Sequence, residues 1–241
     1  IIAAGAMERA LVFANNDRPG VMLASAVQGY LNRYAVKPGN NVVIFTNNDS
    51  AYTCIKDFQN AGIEIAAIVD SRFKIPVQAI RNAKDFKVFS GSIIKNVTGY
   101  KKVTSVVIES IVDKKSQIIS CDLVAHSGGW NPTIHLHSQS RGTVRFDEKI
   151  AAFVPDKDIQ NASCVGACNG KFALNELFEE TKVVIHKALI DINLRVRFDD
   201  SLVCEEENYT IKPLWNTNLS KEKNKAFFDI QNDVTYDDVQ L

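Results

Sequence analysis

The sequence predicts an α/β protein in which a parallel sheet is built through βαβ connections and is followed by an antiparallel meander. Two short apolar runs rich in β-branched residues, 41–46 and 63–69, flank a predicted helix over 50–60. Strands joined by one helix are parallel and have a right-handed crossover. Three further short runs lie between residues 86 and 112, and the polar tract 113–116 turns the chain into another apolar run. Such closely spaced strands indicate a meander.

The segment that precedes the βαβ unit is also expected to be ordered. Residues 1–5 are predicted to be the last strand of a sheet begun upstream, so we expect an internal piece of a longer polypeptide. Residues 17–20 contain a Pro-Gly pair and predict a turn. A helix is predicted over 21–34, and the turn residues 38–40 close that connection.

Beyond the meander, the pattern returns to buried strands and a long helix. Residues 121–125 predict a strand, and 127–132 predict a loop. Short strands are predicted at 153–154 and 163–165. The glycine-containing run 166–170 then leads into a helix that is expected to reach Ile190. The acidic and then lysine-rich tail is less regular.

Composition restricts the class of protein. The chain has 241 residues, 28 Lys+Arg against 28 Asp+Glu, 46% hydrophobic and 23% charged residues. These values fit a globular protein of one large or two modest domains. Zero formal charge removes the electrostatic reason to expect nucleic acid or an anionic membrane as a partner. The sequence contains no apolar run of the roughly 20 residues that a spanning helix needs.

The cysteines and histidines predict no catalytic or metal site. Five scattered cysteines are an odd number, which favours reduced thiols in a cytoplasm: Cys54, Cys121, Cys164, Cys168 and Cys204. Cys164 and Cys168 are four residues apart without a second cysteine pair, so core or turn thiols are favoured over a metal site. His135 and His137 would share one face of a strand, and we expect them to be solvent-facing or hydrogen-bonded.

Two turns could hold a nucleotide. The turn 46–50 follows the first strand of the βαβ unit but contains no glycine, and Asp49 places a carboxylate where a phosphate would bind. Asp70 stands where an acid would contact a ribose, although an Asp at this position is common. A structural role is therefore favoured for this turn. The turn 166–170 has two glycines, whose amides could meet a polar ligand at the positive end of the following helix.

These pieces, in this order, resemble flavoprotein disulfide-reductase-like enzymes with two dinucleotide domains. Residues 1–5 resemble the strand and A-T-G turn that close the first domain, and 41–70 resemble the inserted second domain. Residues 121–132 resemble the return of the chain, and 165–167 resemble the Gly-Asp turn that touches the cofactor of the first domain.

Longer segments are similar to the α subunits of heterotetrameric sarcosine oxidases, and the resemblance spans essentially the whole chain. These segments are ERALVFANNDRPGVM (8–22), FTNNDSAY (45–52), SGGWNPT (127–133), SQSRG (138–142) and KAFFDIQNDVT (225–235). The resemblance implies a complex that oxidises sarcosine with oxygen to glycine and hydrogen peroxide. The one-carbon unit would pass to tetrahydrofolate as 5,10-methylenetetrahydrofolate.

The resemblance also implies how cofactors and partners are distributed. NAD would be bound by the α subunit, FMN at the α/β interface and FAD on the β subunit, with γ and δ subunits completing the complex. Tetrahydrofolate would be bound by a C-terminal half that lies outside this sequence. The small-molecule amine would react on a partner, since no residue here matches a catalytic base or flavin-attachment histidine of the family.

The implied fold is a Rossmann-like three-layer domain with an antiparallel meander, part of a flanking dinucleotide-binding domain and an irregular C-terminal tail. The implied boundaries are 1–36 for the end of the first domain, 37–125 for a degenerate second domain, 126–198 for the return to the first, and 199–241 for a linker and the start of a small helical domain.

The resemblance assigns NAD contact by position, and two departures from the family pattern bear on it. The implied contacts are Ala4, Gly5, Gly166, Ala167, Phe172 and Leu174. Ala4 loses the hydroxyl of the A-T-G turn, and Ala167 replaces the Asp of related reductases, as expected for NAD in place of a flavin. The open alternatives are a related amine or opine oxidase, a hydrogen cyanide synthase, and an assembly scaffold whose ligand site has decayed.

Overall fold

The computed structural model describes residues 1–194, 196–197, 204, 209–217 and 225–239. The chain forms two compact units. Unit 1 consists of Ile1–Met7 and Trp130–Thr210, and unit 2 consists of Glu8–Gly129 and Ile211–Leu241.

The strands of the described residues are short and follow one another closely along the chain. They are β1 (Ala6–Glu8), β2 (Val21–Leu23), β3 (Asn41–Thr46), β4 (Glu64–Asp70), β5 (Val88–Ser90), β6 (Ser92–Thr98), β7 (Ser105–Ser110), β8 (Ser116–Ser120), β9 (Leu123–Ser127), β10 (Trp130–Pro132), β11 (Thr143–Asp147), β12 (Ala152–Lys157), β13 (Phe227–Asp229) and β14 (Val234–Thr235). The α-helices are α1 (Ala24–Tyr34), α2 (Cys54–Asn60), α3 (Val77–Asn82), α4 (His135–Gln139), α5 (Leu174–Asp191) and α6 (Tyr236–Val239).

Unit 2 is built on a five-stranded sheet of order β2-β9-β3-β4-β5, in which all neighbouring strands are parallel. The central strand β3 is a continuous apolar run because both faces of the sheet are covered. The side chain of Ile44 packs among residues of α1 and α2, whereas that of Phe45 packs among residues of β6 and β7. The predicted βαβ unit is confirmed.

Two apolar layers cover the sheet. The helix side contains Tyr52 and Phe58, and the opposite side contains Phe13, Ile94 and residues of the antiparallel sheet β6-β7-β8. Each large apolar side chain that is fully withdrawn from water contributes about 1.5–3 kcal/mol. The structure is therefore a helix layer, a parallel sheet and an antiparallel meander, which confirms the predicted three-layer α/β fold class.

The last part of the chain returns to unit 2. Residues 211–217, which we term the returning segment, pair with the turns after strands β3 and β9 and with the segment before β2. The hairpin of β13 and β14 follows, and Asn16 binds it by accepting from the amide of Phe227 at 2.8 Å and donating to its carbonyl at 2.8 Å.

Unit 1 is smaller and contains two strand pairings and one long helix. Strands β11 and β12 form a hairpin, and β1 pairs with β10. Ile2 forms an isolated parallel bridge with Cys164. A 3-10 turn over Gly166–Asn169 leads to α5.

Several local predictions are corrected by the structure. The predicted helix over 21–34 begins with strand β2, because Val21–Leu23 pairs with β9 at the edge of the sheet. Only Ile2 of the predicted strand 1–5 makes a bridge, since Gly5 turns the chain with φ +73. The predicted loop 127–132 contains strand β10, and the strand β11 was not predicted.

The two compact units are divided at other positions than the predicted domains, whose boundaries stay a prediction. Residues 8–36 lie in unit 2 because β2 and α1 pack on its sheet, and the break falls at Met7 and Gly129 instead of 36 and 125. Of the predicted tail, the described residues 211–217 and 225–239 belong to unit 2, whereas 204 and 209–210 belong to unit 1. Residues 199–203, 205–208, 218–224 and 240–241 of that prediction lie outside the described residues.

Among the described residues, the helices are all too short or too polar to cross a membrane.

Candidate functional site

The predicted NAD-contact residues lie in unit 1, where two chain segments run side by side. The amide of Ile2 donates to Ser163 O at 2.8 Å, and the amide of Val165 donates to Ile2 O at 2.9 Å. Because this bridge is parallel, the residues that follow each segment leave it at the same end. Ala4 and Gly5 therefore leave the bridge at the same end as Gly166 and Ala167.

The backbone at Gly5 can be approached closely. Its φ of +73 lies in the left-handed region, and a Cβ placed there would meet no atom within 4 Å. Its carbonyl accepts a hydrogen bond from the amide of Thr133 at 3.0 Å. Ala4 is exposed and Ala167 is half-buried, and neither side chain extends beyond a methyl group. This opening fits the approach of a ligand to the backbone.

The turn after the bridge is held by a carboxylate from helix α5. The amide of Gly166 donates to Glu180 Oε2 at 2.7 Å, and the side-chain amide of Asn169 donates to Glu180 Oε1 at 2.7 Å. The amide of Gly170 donates to Ala167 O. The prediction that both glycine amides are free for a ligand is therefore wrong, because a side chain and a carbonyl of the same unit already accept from them.

Phe172 and Leu174 lie just after this turn. The ring of Phe172 packs against that of Tyr209, with centroids 4.8 Å apart, and against the cluster of Ile150, Ala152 and Val154. Leu174 begins helix α5 and is 44% exposed. Phe172 therefore has a packing role, whereas the side chain of Leu174 remains accessible.

The thiols near the turn are buried. Cys168 Sγ lies 3.2 Å from Val165 O and 3.3 Å from Ile2 O, so it joins the two paired segments. Burial, with the adjacent Cys168, raises the pKa of the Cys164 thiol to about 12. A thiol with such a pKa is a poor nucleophile near neutral pH. Among the described residues, His, Cys, Asp and Glu side chains form no group that could hold a metal ion.

The histidine pair does not lie on a strand. Residues 135–139 form helix α4, so the predicted shared face of a strand is wrong. His137 is buried, with Nε2 2.8 Å from Thr143 O and Nδ1 3.3 Å from Asp158 Oδ1. His135 is exposed. The alternation extended over three residues only, which is too short to distinguish a strand from a helix.

The second candidate turn, after strand β3 in unit 2, is occupied by a buried ion network. Arg72 Nη1 donates to Asp49 Oδ1 at 2.7 Å, and Arg72 Nη2 donates to Asp70 Oδ2 at 2.8 Å. Tyr52 donates its hydroxyl proton to the same Asp70 oxygen at 2.8 Å. Burial and the Asp70 charge raise the pKa of Tyr52. Burial alone would lower the pKa of Arg72, but hydrogen bonds and charges from Asp70 and Asp49 raise it.

The returning segment covers the same edge of the sheet. Ile211 bridges to Asn48, and the amide of Lys212 donates to Asn47 O at 3.0 Å. Trp215 Nε1 donates to Gly128 O at 2.7 Å, next to the end of strand β9. In doubly wound sheets, ligands bind outside the carboxyl ends of the strands where the strand order reverses. In unit 2 the protein's own polypeptide contacts the turns at that position.

The glycine-free turn itself is closed by side-chain hydrogen bonds. Asn48 Oδ1 accepts from the Ser50 amide at 3.0 Å, and Asn48 Nδ2 donates to Ser127 O at 3.1 Å. Asn48 thus holds the first residue of the 3-10 turn Ser50–Thr53 and ties the ends of β3 and β9 together. The sequence pattern indicated this turn, but it did not indicate the roles of Arg72, Asn48 and Glu180. Glu180 lies one helical turn after Leu177, whose Cδ1 would lie 3.2 Å from a Cβ on Gly166.

The chain is similar in sequence to proteins named sarcosine oxidase subunit alpha. It is 37% identical to sarcosine oxidase subunit alpha of Corynebacterium sp. (strain P-1) over 179 residues, which cover 71% of this chain and 18% of that protein. It is 31% identical to sarcosine oxidase subunit alpha of Rhizobium meliloti (strain 1021) over 243 residues, which cover 100% of this chain and 24% of that protein. The chain therefore spans a quarter or less of these relatives. No protein-family model matches it.

Solved structures share the fold at lower identity. L-proline dehydrogenase from P. horikoshii superposes with a TM-score of 0.60 at 20% identity, covering 81% of this chain and 35% of that one. Thioredoxin reductase from T. acidophilum superposes with a TM-score of 0.62 at 17% identity, covering 79% of this chain and 65% of that one. The chain thus shares its fold with parts of these two enzymes.

Proposed function

Since this chain is a homologue, along its whole length, of the α subunits of sarcosine oxidases, we propose that it forms the dinucleotide-binding part of such a subunit. The observation that carries the proposal is the 31% identity over 100% of the chain to the Rhizobium meliloti protein. The fold shared with flavoprotein reductases supports an oxidoreductase assembly. Unit 1 would be part of the first dinucleotide domain and unit 2 the second.

The reaction we propose belongs to the whole complex. Sarcosine is oxidised by oxygen to glycine and hydrogen peroxide, and the one-carbon unit is transferred to tetrahydrofolate as 5,10-methylenetetrahydrofolate. The β subunit carries FAD, FMN lies at the α/β interface, and γ and δ subunits complete a cytoplasmic complex. The described residues of this chain supply cofactor binding and packing, with the amine oxidised on a partner.

Within this chain, NAD would be held by unit 1. Ala4 and Gly5 would line one side of the site, and Gly166 and Ala167 the other, because both pairs leave the parallel bridge at one end. The open space at Gly5 supports this assignment, and Leu174 would contact the ligand through its exposed side chain. Phe172 would support the site through its packing on Tyr209. Bound NAD offers a ring that accepts hydride.

Oxygen uptake by the complete complex tests the reaction. The complex, expressed with its neighbouring subunits, is expected to consume oxygen and release peroxide with sarcosine. A panel of other secondary amines and opines is the control. Uptake only with another amine would contradict sarcosine as the substrate while retaining the oxidase, and absence of uptake from a flavin-loaded complex would contradict the proposed reaction.

A charge placed in the turn tests the NAD site. Ala167→Asp adds a carboxylate where NAD phosphates would approach, and repulsion at about 4–6 Å is expected to weaken NAD binding about tenfold or more. Gln160→Glu, at an exposed position of unit 1, is the matched control because it also adds one carboxylate. Calorimetric titration of the intact α subunit with NAD measures both affinities. Equal weakening by the two variants would contradict the assignment.

An assembly scaffold without a ligand is the second candidate. The engaged amides of Gly166 and Gly170 favour it, since neither is free for a phosphate. The same titration separates the two proposals, because a scaffold would give no saturable heat with NAD.

A further inference from the structure

We propose that Glu180 is a positioning residue for the dinucleotide site of unit 1, an inference that rests on the proposed NAD binding. Its two carboxylate oxygens accept two hydrogen bonds from one turn, at 2.7 Å each. One donor is the backbone amide of Gly166 and the other is the side chain of Asn169. Glu180 thereby joins both ends of the 3-10 turn Gly166–Asn169 to helix α5.

The backbone of the turn needs such support. Gly166 has a φ of +75 and Gly170 a φ of +78, so both ends of the turn are in the left-handed region. Without stabilising contacts, the backbone of glycine has more conformational freedom than that of any other residue. The carboxylate of Glu180 restricts it with charge-assisted hydrogen bonds, which are about twice as strong as neutral ones. Glu180 thus selects the backbone conformation that presents Ala167.

Helix α5 presents Glu180 to the turn by its register. Leu177 lies 3.2 Å from the position of a Cβ on Gly166, and Glu180 is three residues further along the same helical face. Glu179 is on another face, with 71% of its side chain exposed and its Oε1 2.9 Å from Lys182 Nζ. Two adjacent glutamates of one helix therefore provide a matched pair for comparison.

The variants exploit the charge of the two hydrogen bonds. In Glu180→Gln, one oxygen remains to accept from Gly166, and the new amide group pairs with Asn169 only after the Asn169 side chain turns its Oδ1 toward it, so neither hydrogen bond keeps its charge assistance. In Glu180→Gln combined with Asn169→Asp, the glutamine amide donates to the new carboxylate, so the pairing is restored. This double variant keeps the net charge of the wild type. Glu179→Gln is the control for removal of one carboxylate.

The experiment is NAD titration of the complete α subunit with its partner subunits, with the melting temperature measured in parallel. We expect about tenfold weaker NAD binding for Glu180→Gln, because both hydrogen bonds to the turn lose their charge assistance. Recovery to within about threefold is expected for the double variant, and no change for Glu179→Gln. A merely structural role would lower the melting temperature without this pattern of affinities.

The outcomes distinguish the positioning role of Glu180 from the proposed NAD binding on which it rests. Wild-type affinity in Glu180→Gln, or no recovery in the double variant, overturns the positioning role while NAD binding stands. Absence of saturable NAD binding by the wild type overturns the proposed NAD site, and the positioning role with it.

Discussion

Replacement of Arg72 by methionine is expected to lower the free energy of unfolding by about 3–5 kcal/mol, because two buried carboxylates lose the guanidinium that pairs with both of them. The side chains of Arg72, Asp49 and Asp70 are 5%, 9% and 0% exposed. An ionised carboxylate left unpaired in such a site keeps its desolvation cost and loses the compensating attraction. Arg72 also donates through Nε to Asp70 Oδ1 at 3.1 Å and to Oδ2 at 3.2 Å, so hydrogen bonds from Nε, Nη1 and Nη2 are removed together.

Urea unfolding followed by tryptophan fluorescence measures this effect, since Trp215 lies in unit 2. Arg81→Met is the matched control, because Arg81 is exposed in the last turn of helix α3. The loss of unfolding free energy for Arg72→Lys is expected to lie between those of Arg72→Met and Arg81→Met. An ammonium group keeps the charge but lacks the planar fork of the guanidinium. A loss for Arg72→Met of less than about 1 kcal/mol would contradict the ion-network account.

The Arg72 network bears on function because it lies at the turn after β3, where a nucleotide would bind in a dinucleotide-binding domain. In a nucleotide-binding turn, glycine amides and a helix N-terminus face a phosphate. Here Asp49 presents a carboxylate, Arg72 neutralises it, and the returning segment covers the neighbouring turns. A phosphate would have to displace internal contacts that already match in charge. This arrangement supports a structural role for the turn after β3, and the NAD site that we propose lies in unit 1 instead.

The elements of unit 2 were predictable because their local patterns are strong. Strands β3 and β4 are continuous apolar runs rich in β-branched residues, which is typical of a parallel sheet covered on both faces. The short polar turn before β8 indicated the antiparallel meander. The absence of glycine from the turn after β3 favoured a structural role, and the structure places an internal ion network at that turn. Each of these signals lies within a few residues of the feature that it predicts.

The features that were missed depend on contacts between residues distant in sequence. Strand β2 has three residues and is stabilised by β9, about a hundred residues later, so its local pattern resembles the start of a helix. The pairing of Glu180 with Gly166 requires the register of α5 and the path of the turn. The prediction of free glycine amides considered backbone conformation alone. A side-chain carboxylate fourteen residues away determined the outcome.

His126 is expected to make the stability of unit 2 depend on pH. Its Nδ1 accepts a hydrogen bond from the amide of Leu11 at 3.1 Å, and its ring packs edge-on against Phe13 with centroids 5.4 Å apart. The folded protein therefore needs the neutral imidazole with the proton on Nε2. Burial lowers the pKa of His126 from 6.5 to about 4.

The sign of the effect follows from proton binding. Between pH 6.5 and about 4, the unfolded chain binds a proton at His126 and the folded chain does not. Stability that is present above pH 6.5 is therefore lost as pH falls toward 4, where the folded form also becomes protonated. The difference in pKa corresponds to about 3 kcal/mol, and a proton on Nδ1 would also oppose the amide of Leu11.

The variant His126→Asn isolates this contribution, because its Oδ1 can accept from Leu11 without titrating. Lost ring packing on Phe13 is expected to make the variant less stable than the wild type at pH 7. On acidification to pH 4, the wild type should lose about 3 kcal/mol more than the variant, so the two unfolding curves converge. His135→Asn is the control, since His135 is exposed in helix α4. Parallel pH profiles for the wild type and His126→Asn would show that the buried imidazole is not the group responsible.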